Sequence, residues 1–265
     1  MGVLITGAGR GIGKRLALGF AKAGARVGLL GRNQAELDVT RLEIEDAGGV
    51  SIGLRADVTN PDAVAGAVGR MTTEWGAVDA LIANAGVQGP IGPFCKTRPH
   101  EWQEVFNVDL FGVLNCAHAV LPQMVKRRRG KIIAVSCTGA AEPRPGFAIY
   151  AAAKASVARF VECLAEEVRE SNVQVNSMLP GDAYTTMTDE VLHAAARIDA
   201  AEFDAAHHVR MTGGVPPEKQ LQLALFLASE RSNHVTGKLI HVLDDWKRLE
   251  KENGRADAFT LRRHK

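Results

Sequence analysis

The 265-residue sequence contains few cysteines and few aromatic residues, the latter only 5% of the chain. Its four cysteines, Cys95, Cys116, Cys137 and Cys163, are spread out and form no C-x-x-C pair. This spacing argues against a zinc cluster or a disulfide framework, and it favours a reducing compartment. We therefore predict a protein without a metal site.

An excess of charge is also lacking, since the formal net charge is only +2. This balance gives no electrostatic reason to expect nucleic acid or an anionic membrane as a partner. The basic run 126–129 falls between a predicted helix and a predicted strand, where a solvated loop is expected. We find no uninterrupted run of about 18 apolar residues and no signal peptide before the first strand. These features predict a soluble, cytoplasmic protein.

Short apolar segments alternate with amphipathic helical segments along most of the chain. The predicted strands are 1–6, 26–30, 50–54, 78–83, 131–135, 173–178 and 238–242. Apolar strands separated by helices predict an α/β fold with a parallel, doubly wound sheet of about seven strands and helices on both faces. We expect one domain over 1–246, including an irregular segment at 182–213, and a charged tail at 247–265.

A glycine-rich turn joins the first strand to the first helix and contains Gly7, Arg10, Gly11, Ile12 and Gly13. Glycines in this position let the backbone turn tightly and approach a pyrophosphate. The following helix N-terminus offers free N–H groups and the positive end of its dipole. The turn therefore predicts a Rossmann-type dinucleotide site, although glycine also marks ordinary turns.

The turn has the spacing G-x-x-x-G-x-G, and further motifs follow it in order. They are Asp57-Val58 after the third strand, Asn84-Ala85-Gly86 after the fourth, Tyr150 and Lys154 as Y-x-x-x-K, and Pro180-Gly181 with Thr185 after the sixth. Over nearly its whole length the sequence thus resembles the classical short-chain dehydrogenases/reductases. The resemblance implies that these residues bind a nicotinamide dinucleotide, with Asp57 and Val58 near adenine and Thr185 near the carboxamide. It also implies that Lys154 binds the nicotinamide ribose.

The end of the second strand indicates which dinucleotide is used. An acid there accepts hydrogen bonds from the ribose 2′-OH of NAD, but this strand ends in Gly31 and Arg32. Arg32 and Arg10 are suited to bind a 2′-phosphate through charge-assisted hydrogen bonds. We therefore predict NADP, with NAD as the less favoured cofactor; the alternative is that both arginines are merely exposed.

Tyr150 and Lys154 are four residues apart on a predicted helix and so share one face. A nearby ammonium stabilises a phenolate and lowers the pKa of tyrosine. Tyr150 is then able to give a proton to a carbonyl oxygen or take one from an alcohol. We predict an oxidoreductase that interconverts small carbonyl and alcohol compounds.

Two positions depart from the family pattern. The family's active-site serine lies thirteen residues before the tyrosine. In this sequence Cys137 occupies that position, whereas counting back from Gly139 favours Ser136. A thiol is a weak donor, so chemistry favours Ser136 slightly.

The family's asparagine is replaced by Asp109, which could hold a water or pair with Lys154 and raise the pKa of that lysine. We expect Asp109 to slow or retune proton transfer.

The remaining expectations concern the substrate and the assembly. Segment 182–213 occupies the place of the family's substrate lid; its histidines are expected to be exposed or structural. By resemblance, the predicted helices 102–125 and 148–170 form a homodimer or homotetramer. The tail covers a neighbouring subunit or a pocket, or is frayed. A second hypothesis for the function is a nucleotide-binding sensor or scaffold with weakened catalysis.

Overall fold

The computed structural model describes residues 1–250 and 259–261. Its seven strands are β1 (Gly2–Thr6), β2 (Arg26–Gly31), β3 (Val50–Arg55), β4 (Ala80–Ala83), β5 (Gly130–Val135), β6 (Val173–Leu179) and β7 (Leu239–His241). All neighbouring strands pair in parallel, in the order β3-β2-β1-β4-β5-β6-β7. The prediction of a doubly wound parallel sheet is confirmed.

The helices between the strands cover both faces of this sheet. They are α1 (Gly11–Lys22), α2 (Gln34–Asp46), α3 (Pro61–Trp75), α4 (Pro99–Phe106), α5 (Gly112–Arg127), α6 (Ala148–Glu167), α7 (Thr186–His193), α8 (Ala200–Thr212) and α9 (Pro217–Ala228). Side chains of a strand point alternately to the two faces. Accordingly Val3 and Ile5 pack with α1, α2 and α9, while Leu4 packs with α3, α5 and α6.

The predicted single helix 102–125 differs from the structure. The helical run extends from Pro99 to Arg127 and is interrupted by a π-helical segment, Asn107–Phe111. Such a segment shifts the helix register, and it is frequent at functional sites. Here it contains Asp109, whose side chain is completely buried.

The same run, Pro99–Arg127, is long and apolar enough to cross a membrane by length and composition alone. It is not an uninterrupted apolar run, since polar residues such as Asn107, Asp109 and Asn115 lie within it. Val113, Val120 and Met124 of this run pack in the core beneath the sheet, as expected for the core helix of a globular protein.

The predicted irregular segment 182–213 contains two helices, α7 and α8, which pack on each other beside the carboxyl ends of the strands. Its ends are joined by a bridge between Ala183 and Gly214. Of the tail, the described 3-10 helix Trp246–Glu250 buries Trp246 and Leu249 against α9 and its neighbours. Most of the predicted tail, 251–258 and 262–265, lies outside the described residues.

Candidate active site

A cleft of about 740 Å³ opens at the carboxyl ends of the strands. The sheet order reverses here, because β1 is flanked by β2 on one side and β4 on the other. Ligands of open α/β sheets bind at such switch points. The cleft is lined by predicted site residues from every motif: Gly7, Arg10, Gly11, Ile12, Arg32, Asp57, Val58, Asn84, Ala85, Gly86, Ser136, Cys137, Tyr150, Lys154, Pro180, Gly181 and Thr185. Gly13 and Asp109 lie behind this lining.

The glycine turn has the backbone shape that a phosphate cradle needs. Gly7 and Gly11 adopt φ values of 65° and 56°, which favour glycine. A side chain at Gly13 would place its Cβ 2.2 Å from the Gly7 carbonyl oxygen. The helix α1 begins at Gly11, so its free N–H groups face the cleft, and the turn fits a dinucleotide pyrophosphate.

Thr6 ties this turn to the end of β4, a role that the sequence did not reveal. Its Oγ1 accepts hydrogen bonds from the backbone N–H groups of Asn84 and Ala85, both at 2.9 Å. The Asn84 side-chain amide donates to the Thr6 carbonyl oxygen at 2.9 Å. These bonds fix the two halves of the switch point relative to each other.

Arg32 stands at the β2 end of the cleft beside an acid, whereas Arg10 lines the cleft from the glycine turn, with its charge near Glu190 of α7. Arg32 Nη1 lies 3.8 Å from Asp57 Oδ2, and the Arg32 side chain is 62% exposed. Glu36, which was not predicted, packs against the turn, since a Cβ on Gly9 would lie 2.7 Å from its Cβ. The Asn33 side chain caps α2 by accepting from the Glu36 N–H. Spacing alone suggests a cap at Asn33 and does not reveal that Glu36 lines the cofactor cleft.

Tyr150 and Lys154 lie on the first turns of α6, facing the cleft, and are 9% and 3% exposed. The Lys154 Nζ donates to the Val135 carbonyl oxygen at 3.3 Å. It also lies 3.1 Å from Asp109 Oδ2, while Asp109 Oδ1 accepts from the Val87 N–H at 2.8 Å. The ammonium is therefore held between the end of β5 and a buried carboxylate.

The electrostatics of this group follow from burial and from the ion pair. Burial is the largest single effect on Lys154 and favours the neutral amine, but Asp109, Tyr150 and Cys137 together outweigh it and raise the pKa of the lysine. Burial raises the pKa of Tyr150, and the Lys154 charge opposes this only in part. Near neutral pH the free protein thus holds a protonated lysine and a phenol able to donate its proton.

Ser136 and Cys137 both line the cleft but differ in their surroundings. Cys137 packs in a small cluster with Tyr150, Val105 and Ala153. Burial raises the pKa of its thiol despite the nearby Lys154, so it stays protonated. Ser136 is buried, and its Oγ has no hydrogen-bond partner within the described residues.

Beyond Tyr150 the cleft has a polar wall. Glu202 of α8 accepts from Arg144 Nε at 2.9 Å and from Nη2 at 2.8 Å. Gln88 follows the Asn84-Ala85-Gly86 motif and is 5% exposed. All three residues line the cleft, as do Met187 and Val191 of the predicted lid. Its described lining does not include the lid histidines.

Comparison with known proteins agrees with this geometry. The family model described as short chain dehydrogenase matches residues 2–196. The 3-oxoacyl-(acyl-carrier-protein) reductase of Thermotoga maritima is 33% identical over 239 residues, covering 90% of this chain and 94% of that protein.

Two solved structures extend the comparison. A gluconate 5-dehydrogenase from Burkholderia cenocepacia, in complex with NADP and tartrate, is 31% identical. It has a TM-score of 0.81, and the match covers 91% of this chain and 92% of that one. A 3-oxoacyl-(acyl-carrier-protein) reductase from Brucella melitensis with bound NAD is also 31% identical, with a TM-score of 0.76 and coverage of 91% and 88%.

These matches span both the dinucleotide turn and the helix that carries Tyr150 and Lys154. They also reproduce the whole sheet, because the solved structures superpose over nine-tenths of the chain. The chain therefore belongs to the short-chain dehydrogenases, and it is an oxidoreductase of the NAD(P)-binding type.

Proposed function

We propose that this protein is an NADP-dependent oxidoreductase that interconverts a carbonyl and an alcohol, with Tyr150 as the acid and base. The observation that carries the proposal is the buried Tyr150–Lys154 pair, which faces the same cleft as the glycine turn. A phenol that is protonated near neutral pH is suited to donate to a carbonyl oxygen, so the reductive direction suits the resting state.

The glycine turn and the end of β2 would hold the dinucleotide. Gly7, Gly11 and the N-terminus of α1 face the pyrophosphate, while Arg10 and Arg32 provide donors for a 2′-phosphate. When bound, the nicotinamide supplies or accepts the hydride. The solved gluconate 5-dehydrogenase with NADP supports this choice, and the NAD complex among the similar structures is the reason to test it.

The proton is handled by residues of this chain alone. Tyr150 gives its proton to the oxygen of a carbonyl substrate, and Lys154 stabilises the phenolate that remains. Asp109 is a positioning residue, because it acts on the tyrosine through Lys154. We also propose that Cys137, which packs on Tyr150, contacts the substrate oxygen; the residue preferred from sequence was Ser136.

The relatives act on different oxygenated molecules, a 3-oxoacyl-(acyl-carrier-protein) in one case and gluconate in another, as their names state. This variety supports a small carbonyl or alcohol compound as the substrate class. From the family and the net charge of only +2, we further propose a cytoplasmic, oligomeric enzyme that binds neither nucleic acid nor a membrane.

Replacement of Tyr150 by Phe tests the proposal. Loss of the phenolic proton should lower kcat about 10²- to 10⁴-fold, because that is the usual contribution of general acid catalysis. NADPH binding, followed by its fluorescence, should persist, since the glycine turn is unchanged. Turnover that survives the substitution would refute the role of Tyr150.

The rival function is a nucleotide-binding sensor with weakened catalysis, and the departures at Asp109 and Cys137 favour it. A sensor would bind NADPH yet reduce none of a broad panel of ketones and aldehydes. Its response to the nucleotide would be the same in the Tyr150→Phe variant.

A further inference from the structure

The wall opposite the glycine turn is built from three segments that are fixed to one another. The loop after β4 is tied to the loop before α6 by a hydrogen bond from the Gly92 N–H to the Gly146 carbonyl oxygen, 2.8 Å long. Ile91 packs on Phe147, and the Arg144 guanidinium lies 3.8 Å above the Phe147 ring. The third segment is α8, joined through the Arg144–Glu202 pair.

Glu202 itself is held in place at the start of α8. Asp199 caps this helix by accepting from the Glu202 N–H at 2.9 Å. The carboxylate takes two of the Arg144 donors, Nε and Nη2, and leaves Nη1 as the third nitrogen. Arg144 therefore keeps one guanidinium nitrogen that Glu202 does not occupy, and both residues line the cleft.

Gln88 adds a second polar group to this wall. It is 5% exposed, yet its Nε2 has no hydrogen-bond partner within the described part of the chain. A buried amide that is left unpaired destabilises the protein. A ligand with an oxygen near Gln88 would supply the missing partner.

The pairing of donors with a carboxylate discriminates between oxygen groups. A hydroxyl both donates and accepts, so it is suited to a wall that offers a carboxylate acceptor in Glu202 and donors in Arg144 and Gln88. A substrate carboxylate only accepts, and Glu202 and Glu142, which both line the cleft, would repel it. A plain alkyl group would leave the Gln88 amide unpaired.

We infer that the substrate carries a hydroxyl group besides the reacting carbonyl or alcohol, and that Gln88, Arg144 and Glu202 bind it. The inference rests on the proposed function and names its substrate class, the hydroxylated ketones and their polyol products. The competing interpretation is that the Arg144–Glu202 pair only pins α8 to the body of the protein. Such a pin would affect all substrates alike.

A matched set of four-carbon ketones tests this selectivity in the wild-type protein with NADPH. The set is 2-butanone, 3-hydroxy-2-butanone, 4-hydroxy-2-butanone and 2-oxobutyrate. We expect kcat/KM to be about tenfold higher for at least one hydroxyketone than for 2-butanone, because one hydrogen bond contributes up to about 1.5 kcal/mol. It should also exceed that for 2-oxobutyrate. Equal values, or a preference for 2-oxobutyrate, would overturn the inference.

Replacement of Gln88 by Leu then shows whether the wall is responsible. The ratio of kcat/KM for the preferred hydroxyketone to that for 2-butanone should fall about threefold or more, because a donor is removed. Gln174→Leu is the matched control, since Gln174 is equally buried but lies on β6 outside the cleft lining. An unchanged ratio in Gln88→Leu would overturn the inference, and it would leave the Arg144–Glu202 pair with only the structural role of holding α8 in place.

A binding measurement separates this inference from the proposed function. Melting temperatures are recorded for the NADP-loaded wild type and Gln88→Leu with and without 2,3-butanediol. If no ketone is reduced but the diol raises the melting temperature of the wild type alone, the proposed function fails and the hydroxyl site stands. If the diol raises neither and no ketone is reduced, both are refuted.

Discussion

At the scale of single residues, the Asp109–Lys154 pair sets the charge around the acid–base tyrosine. Both side chains are almost completely buried, and their charged atoms lie 3.1 Å apart. A carboxylate at this position opposes the effect of the ammonium on Tyr150. Burial is the largest cause of the raised pKa of Tyr150, and Asp109 adds to it, so the phenol stays protonated and alcohol oxidation should be delayed until high pH.

Asp109→Asn should therefore shift the pH dependence of alcohol oxidation. Oxidation needs the phenolate, so kcat/KM rises as pH passes through the pKa of Tyr150. Removing the Asp109 charge lowers that pKa, and the rising limb should move to lower pH. The pH–rate profile measured with an alcohol and NADP tests this prediction. A rising limb at unchanged pH would contradict the role assigned to Asp109. Tyr150→Phe should abolish the limb altogether.

The second prediction at this scale concerns the residue beside Tyr150. Cys137→Ser replaces a weak donor by a strong one, so carbonyl reduction should accelerate about tenfold if Cys137 contacts the substrate oxygen. Ser136→Ala is the matched comparison and should have the smaller effect. A large loss in Ser136→Ala, with no gain in Cys137→Ser, would assign the oxygen contact to Ser136. Steady-state kcat on one ketone is sufficient for both variants.

At the scale of elements, the end of β2 and the start of α2 form the adenosine end of the cleft. Arg32 provides positive charge there, while Glu36 and Asp57 provide negative charge. The balance between them decides whether a 2′-phosphate is favoured.

Arg32→Ala should raise the Kd of NADPH about tenfold, because hydrogen bonds to a charged group contribute about 1.5–3 kcal/mol. The Kd of NADH should change much less, since NADH lacks the 2′-phosphate. Glu36→Gln should act in the opposite direction and tighten NADPH binding. Fluorescence titrations at one fixed ionic strength measure all three effects. Tighter binding of NADH than of NADPH by the wild type would refute the NADP proposal.

At the scale of the whole molecule, exposed apolar side chains accompany the long helical run between β4 and β5. Phe94 and Phe111 are 54% and 48% exposed, and Val125 is also exposed. A subunit contact along this run would bury such exposed apolar groups. They support the expectation that this run forms a subunit contact.

We expect a dimer or tetramer by light scattering, and Phe111→Lys should reduce the measured mass by placing a charge in the contact. Met211→Lys is the control, because Met211 is 73% exposed but belongs to α8. A wild-type monomer would refute the assembly. An unchanged mass in Phe111→Lys would place the contact elsewhere.

The sequence by itself determined the alternation of strands and helices along the chain, and it determined the dinucleotide turn. Local chemistry is sufficient for these features, since apolar strands, amphipathic helices and glycines with positive φ are encoded by neighbouring residues. The same holds for Tyr150 and Lys154, which one helical turn brings to the same face. The motifs also identified the family.

Only the tertiary structure decided which residues surround Tyr150 and Lys154. Asp109 meets Lys154 because a π-helical segment and α6 pack together behind the cleft. Gln88, Arg144 and Glu202 come from three separate segments, and Glu36 reaches the glycine turn from another helix. Contacts between residues so distant in sequence arise from sheet order and helix packing, which no local pattern encodes.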